Sequence, residues 1–390
     1  MNQTANRLMP SDHPPIQPLR FVQRGAIVNV ERVAPDRTLL ALLREDLGQP
    51  AVKEGCNSGD CGACTVVLAQ AQGDGLRWRA INSCLRLAHS VDGSALWTAA
   101  DLTQDPLLDL GGAQLHPAQQ AMLEQHGSQC GFCTPGFVMS LFAQYQNRVV
   151  AGEAVTREAA QADLSGNLCR CTGYRPILDA AQSMAQLPPA RIDEAALLAL
   201  LGQIAPAPTT MAALLQARAR WPEARLVAGA TDLGLSITKG LQPQARLLDL
   251  TRVEELGRIE RQPGWLGIGA AVTLEDAFTA LMQQWPTLAD FAPRFAGLPV
   301  RQSGTLGGNI ANGSPIGDGA PVLMALDATL VLRRGPDQRR IPLTEFYLGY
   351  QRNALAAGDE FDCVLINSST GAVIAGTVLE ADIKTALAAA

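Results

Sequence analysis

Cysteine spacing carries the chemistry legible in this chain. Of its nine cysteines, eight fall between Cys56 and Cys171, in two quartets. The stretch EGCNSGDCGAC gives Cys56-x4-Cys61-x2-Cys64, and Cys84 follows after the segments TVVLAQ and RWRAI. This is the plant-type spacing of [2Fe–2S] ligands. Three thiolates converging from one short loop force that loop back on itself. Gly55, Gly59 and Gly62 accept left-handed backbone angles at little cost, and Asn57 and Asp60 tolerate them. Amides around such a loop can point at the sulfurs and raise the reduction potential. A zinc site and unligated core cysteines are the competing readings. Structural zinc is usually held by two CxxC-like knuckles, which this spacing does not resemble.

The second quartet is spaced differently. QCGFCTPG supplies Cys130-x2-Cys133, and NLCRCTGYRP supplies Cys169-x-Cys171. Two pairs at the ends of facing helices can hold a four-cysteine cluster, and Cys-x-Cys suits two ligands on one iron. On spacing alone a [2Fe–2S] cluster is favoured over zinc. A redox-active dithiol is a third reading, weakened by the Cys-x-Cys partner and the lack of a βαβ context. Cys363 stands alone and reads as a buried core cysteine. His13, His89, His116 and His126 match no motif and read as structural or surface residues.

Elements must position these thiols. Alternation around Ala26, Val28 and Val30, with Arg24-Gly25 as a turn, predicts a β-hairpin. Thr38 reads as the N-cap of a short helix, LLALLREDL, that Gly48 stops. TVVLAQ and RWRAI read as strands, so residues 21–97 form a small α+β unit around the first quartet. Residues 98–185 read as four helices: HPAQQAMLEQHG, TPGFVMSLFAQYQNR with Thr134 as N-cap before a proline, TREAAQADLSGN, and RPILDAAQSMAQL. AALLALL, at Ala195–Leu201, reads as one helix face. Residues 186–208 read as a Pro-rich linker, and mixed α and β patterns follow.

Composition bounds the function classes. The chain has 390 residues, 47% hydrophobic and 17% charged, an ordinary globular balance. That length suggests about two to three domains. A net charge of −6 does not favour a nucleic-acid partner. No apolar run approaches the roughly 18 residues of a membrane helix, so no membrane partner is expected. Residues 1–20 read as a flexible tail without a signal peptide's apolar stretch. Cysteines without an export signal point to reduced thiols and a cytoplasmic protein.

EGCNSGDCGACTV with NSCL, QCGFCTPG and SGNLCRCTGYRPI together resemble the iron–sulfur part of the molybdenum hydroxylases, the family that includes the xanthine dehydrogenase, aldehyde oxidase and carbon monoxide dehydrogenase relatives. The resemblance covers residues 21–185. It implies a plant-ferredoxin-like β-grasp domain over 21–97, a four-helix [2Fe–2S]-binding domain over 98–185, and a cluster at each quartet. It also implies that the Cys130/Cys133/Cys169/Cys171 cluster lies nearer the molybdenum and the other nearer the flavin. Gln129 stands where the family contacts the molybdopterin held by a partner subunit. Its alternative is a helix-capping amide.

Two Gly-rich segments mark the C-terminal half: LVAGATDLG, from Leu226, and RQSGTLGGNIANGSPIGD, ending at Asp318. Small residues let backbone N–H groups approach a pyrophosphate, although either segment alone reads as an ordinary turn. Together they resemble the family's FAD-binding domain, expected over 209–390. The fold implied is α+β, of vanillyl-alcohol-oxidase type and not Rossmann. The resemblance places FAD contacts on Leu226, Val227, Ala228, Gly229, Ala230, Thr231, Asp232 and Leu233. It places Phe295 over the isoalloxazine, and further contacts on Thr305, Gly307, Gly308, Asn309, Asn312, Ser314 and Asp318. GIGAAV, at 267–272, lacks the third glycine of a dinucleotide fingerprint and reads as a strand. After about residue 358 the tail reads as atypical, with the family's C-terminal domain missing. Alternation in CVLI and TGAVIAGTV predicts two strands there.

The order of parts resembles the iron–sulfur/FAD subunit of the xanthine dehydrogenase branch. The implied role is electron transfer from molybdenum on a large molybdopterin-binding partner, through two [2Fe–2S] clusters, to FAD and then NAD+, in hypoxanthine or xanthine oxidation. No catalytic residue is expected on this chain, and a heteromer of higher order is. The alternatives are the same role for an aldehyde or N-heterocycle, an iron–sulfur carrier lacking flavin, and a zinc-scaffold protein.

Overall fold

Arg24 and Gly25 take φ values of 51° and 66°, the left-handed pair a two-residue hairpin requires. They join β1 (Leu19–Gln23) to β2 (Ala26–Val30) in the expected hairpin. The computed structural model describes residues 18–207, 209–350, 352–356 and 359–367. Most of the tail expected over 1–20, with His13, lies outside them. Strands β3 (Thr65–Gln72), β4 (Gly75–Asn82) and β5 (Ala95–Trp97) complete a five-stranded sheet of order β2-β1-β5-β3-β4. β1 and β5 pair in parallel, and the other pairs are antiparallel.

The helix expected after Thr38 forms. Thr38 Oγ1 accepts from Ala41 N at 3.2 Å, and the chain then widens into π winding over Leu42–Asp46. Leu39, Leu40, Leu42 and Leu43 are buried with Phe21, Val66 and Leu96 beneath one sheet face. On the other face Trp78 and Trp97 pack against Phe142. Phe142 belongs to α2 (Thr134–Gln144), one of four helices with α1 (Pro117–Glu124), α3 (Arg157–Asp163) and α4 (Arg175–Ser183). The sheet and the helices therefore share one core.

One expectation here needs correction. Cys133, not Thr134, is the N-cap of α2, with Thr134 in the first turn. His116 takes the structural one of its two readings: it caps α1, its Nδ1 accepting from Ala118 N at 3.1 Å, and burial holds its pKa down to about 3. The helix face expected at Ala195–Leu201, within the connector 186–208, forms as α5 (Glu194–Ile204), whose Leu197, Leu201 and Ile204 enter the same core. The prolines only bracket this apolar stripe, whose burial pins the segment down.

The flavin half has its own core. A short parallel pair, β6 (Arg225–Val227) and β7 (Leu247–Asp249), flanks α6 (Leu233–Thr238). The main sheet comprises β8 (Ile259–Gln262), β9 (Trp265–Gly269), β10 (Thr329–Arg334), β11 (Asp337–Pro342) and β12 (Glu360–Asn367). Its order is β8-β9-β12-β10-β11, antiparallel throughout, and it packs with α7 (Leu274–Gln284) and α8 (Leu306–Asn312). This is multidomain α+β and not a Rossmann sheet. GIGAAV begins within β9, as expected. CVLI forms a strand as expected and lies in β12, the central strand of the sheet. TGAVIAGTV lies outside the described residues. Cys363 is half-buried, because strand alternation puts Val364 and Ile366 in the core and Cys363 on the opposite face. Among the described residues no helix is long and apolar enough to cross a membrane.

Glu360, at the start of β12, is buried, and burial raises its pKa to about 7 despite Arg218 at 3.1 Å. The native state thus binds this proton more tightly than the unfolded chain. Its stabilising effect is complete at low pH and is lost as pH rises through about 7. Glu360→Gln should flatten this decline. Melting curves of both proteins at about pH 5 and about pH 8 check it, and identical pH responses would refute it.

Candidate cluster and flavin sites

The first quartet sits on a loop of left-handed turns. Asn57, Gly59 and Gly62 have φ of 53°, 80° and 67°. Gly55 and Asp60 do not share that conformation. Gly55 is needed for space, since a Cβ there would lie 2.8 Å from Cys61 Sγ. Ser58 N and Cys61 N donate to Cys56 Sγ at 3.4 and 3.3 Å, and Cys56 N donates to Cys61 Sγ at 3.3 Å. Burial raises the Cys56 thiol, but hydrogen bonds from Ser58 and Cys61 outweigh it and hold the pKa at about 7. The buried Cys64 and Cys84 thiols hydrogen-bond each other. The quartet thus forms two thiol pairs, Cys56/Cys61 and Cys64/Cys84.

The second quartet is also paired, Cys133 with Cys169 and Cys130 with Cys171. Thr172 donates to Cys169 Sγ from Oγ1 at 3.2 Å and from N at 3.5 Å. Burial, then Cys169, pushes the Cys133 thiol up to about 12. Cys130 and Cys171 are exposed, as is the neighbouring Gln129. Exposed Phe132, Leu168 and Tyr174 lie in the same segments.

The two quartets are tied together. Leu168 N donates to Cys61 O at 2.9 Å. Buried Asn167 donates from Nδ2 to Gly62 O at 3.0 Å and to Thr65 Oγ1 at 3.2 Å, and accepts from Ser140 Oγ at 2.6 Å. Asn167 was not anticipated. Its position directly before LCRC was the available signal, but its partners are about a hundred residues away.

The two Gly-rich segments meet. A Cβ on Gly229 would overlap the Ser303 carbonyl and lie 2.7 Å from Gly304 Cα. Ala230, at φ 58°, makes the sharp turn between β6 and α6. Thr305 caps α8, its Oγ1 accepting from Gly308 N at 3.1 Å, and Gly307 packs closely on Ala270. Asn309 Oδ1 and Phe295 both face Gly319. Phe295 is half-buried and stacks edge-on against Phe278 at 4.9 Å. Leu226, Ala228 and Thr231 are half-buried, Val227 and Leu233 buried. Asp232, Asn312 and Asp318 are exposed, and Ser314 is half-buried.

Helix α6 joins this region to the first quartet. Thr238 Oγ1 donates to Asn57 O at 2.9 Å and Lys239 Nζ to Cys56 O at 2.5 Å. The donor sets fit binuclear clusters. A four-cysteine [2Fe–2S] cluster accepts paired thiolates.

Fold and sites together define a three-part iron–sulfur flavoprotein. Family profiles agree: a 2Fe-2S iron-sulfur cluster binding domain matches residues 23–88, a [2Fe-2S] binding domain 103–182, and the FAD binding domain in molybdopterin dehydrogenase 205–361. The chain belongs to the molybdenum hydroxylase family, as its iron–sulfur/FAD part. It is 31% identical to xanthine dehydrogenase of Drosophila subobscura, over 86% of this chain and 30% of that one. It is 28% identical to aldehyde oxidase 2 of Mus musculus, over 85% of this chain and 29% of that one. It therefore spans about 30% of the length of the curated relatives it matches. Among solved structures, quinoline 2-oxidoreductase from Pseudomonas putida 86 aligns at 28% identity over 42% of this chain and 59% of that one, with a TM-score of 0.38.

Proposed function

We propose that this chain relays electrons within a molybdenum hydroxylase. Cys130, Cys133, Cys169 and Cys171 hold one [2Fe–2S] cluster, and Cys56, Cys61, Cys64 and Cys84 hold the other. The segments Leu226–Leu233 and Thr305–Asp318, with Phe295, hold FAD. The observation that carries this reading is the spatial order of the sites. The second quartet opens on an exposed rim, the Cys61–Leu168 hydrogen bond joins it to the first, and α6 lies on the first from the flavin side.

When bound, the clusters carry single electrons and the flavin couples one-electron input to two-electron output. The protein's own groups do the rest. Backbone amides donate to Cys56, Cys61 and Cys169 and tune their electron-rich sulfurs. Burial of Cys64 and Cys84 keeps water from one end of the first site. Gly229 and Gly307 let backbone close around a pyrophosphate.

By this reading a large molybdopterin-binding subunit docks at the rim of Gln129, Phe132, Leu168 and Tyr174, and the assembly is a heteromer of higher order. The exposed apolar side chains support such an interface. Its substrate is a purine, hypoxanthine or xanthine, and the final acceptor is NAD+. The xanthine dehydrogenase relatives support this. The aldehyde oxidase relative supports a second reading, an aldehyde or N-heterocycle. The free cysteines support a cytoplasmic setting.

The test is electron paramagnetic resonance of the reduced protein, with iron, zinc, sulfide and flavin assays. Cys61→Ser should remove one cluster signal and leave the other and the flavin. Persistence of both signals would overturn the ligand assignment, and zinc in place of iron would overturn both quartets. Iron without flavin would instead favour the flavin-free carrier.

A further inference from the structure

A cavity of about 960 Å³ lies between the first sheet, α5 and the flavin half. Three arginines line one side: Arg77 and Arg79 on β4, and Arg86 just after Cys84. Their charges crowd one another. Arg79 is pushed down to about 9, chiefly by burial and then by Arg77 and Arg86. Asp276 on α7 serves two of them, pairing with Arg77 and, at 3.2 Å, with Arg79. Among the described residues Arg86 has no carboxylate within ion-pair distance, and Asp249 acts on it only from farther away. It is 7% exposed, and its Nε has no hydrogen-bond partner there. Arg79 Nε and the Ser303 hydroxyl, both at this cavity, are in the same condition. A guanidinium cannot shed its charge by losing a proton, and a buried uncompensated charge is costly. Five arginines and two aspartates line the cavity, so its walls carry an excess of positive charge that an anion would balance. The wall contributed by Leu198 and Leu201 of α5 is apolar.

We propose that this cavity binds a phosphate group, with Arg86 and Arg79 as its charge partners and Ser303 as a hydroxyl donor, and that its occupancy fastens the flavin half onto the first sheet. Guanidinium groups present paired N–H donors that match phosphate oxygens. The cavity exceeds what inorganic phosphate fills, so an organic phosphate with an apolar body against α5 also fits. Of the candidate flavin residues, Thr305 reaches this cavity, so the test must separate the two sites.

The experiment uses flavin-loaded protein in phosphate-free buffer, with ionic strength held constant by chloride. Inorganic phosphate and ADP are titrated separately, following thermal unfolding, heat of binding and flavin absorbance. Well above the Kd, the unfolding temperature should rise by about 2–4 °C, saturably and with flavin retained. The rise should vanish in Arg86→Gln, which should itself melt no lower than wild type without phosphate, since it removes an unpaired buried charge. Ser303→Ala should raise the half-saturating phosphate concentration about tenfold, and it decides the matter if Arg86→Gln does not fold. Tighter saturation by ADP would identify a nucleotide as the source of the phosphate. Equal or tighter saturation by inorganic phosphate would identify the free ion. No rise beyond chloride, a rise undiminished in both variants, or release of flavin would overturn the proposal.

Discussion

Gly229→Ala should strip flavin from the protein and leave its iron in place. The new Cβ would overlap the Ser303 carbonyl and lie 2.7 Å from Gly304 Cα. Both obstacles are backbone, so no rotamer change relieves them. The next residue, Ala230, is already held in a strained left-handed conformation, with φ of 58°. The two Gly-rich segments must then separate, and with them the amides proposed to face the pyrophosphate. A loss of flavin affinity of at least about 100-fold is expected, near 2.7 kcal/mol. The atoms nearest the new Cβ belong to Ser303 and Gly304 and not to either quartet, so the iron content and both cluster signals should match wild type. Flavin released by denaturation, measured against iron on the same sample, checks the ratio. Wild-type flavin content would refute the assignment of this loop.

The chemistry was legible in the sequence because iron–sulfur ligation constrains thiol spacing within single loops, where chain order and spatial order coincide. The cap at Thr38 was legible for the same reason, since a hydroxyl reaches an amide three residues on; Thr156 makes the same contact but was not read as a cap. What could not be read depends on distant partners. Gly55 and Gly59 look alike in sequence, yet one is needed for clearance beside Cys61 Sγ and the other for a φ of 80°. Asn167 is polar and buried only because Ser140, Gly62 and Thr65 satisfy it. The helix face at Ala195–Leu201 was legible inside the Pro-rich linker 186–208, whereas its docking as α5 into the core of the N-terminal half depends on distant partners. The central placement of β12 follows from pairing with β9 and β10, strands begun about a hundred and about thirty residues earlier, which periodicity alone cannot specify.

That long-range stitching gives the second large effect. Gly62→Ala should damage both cluster sites at once, unlike Cys61→Ser, which should cost one. Gly62 has a φ of 67°, and alanine in that conformation costs about 1–2 kcal/mol. Its Cβ would also meet Gly166 O, Asn167 Nδ2 at 2.5 Å and Asn167 Cα at 2.9 Å. Retreat the other way is closed, because Gly136 of α2 already packs against Gly62 O. The loop must shift, and the Asn167–Gly62 and Leu168–Cys61 hydrogen bonds must stretch or break, at about 1 kcal/mol each. The sum is about 3–5 kcal/mol of destabilisation, concentrated where Cys61 and Cys64 flank Gly62 and where Leu168 leads into Cys169. Denaturant unfolding measures the first effect, and the two resonance signals of the reduced protein measure the second. Loss or broadening of both signals is expected. One signal unchanged, with native stability, would mean that the quartets are built independently and that the contact between their loops does not set the spacing over which electrons pass.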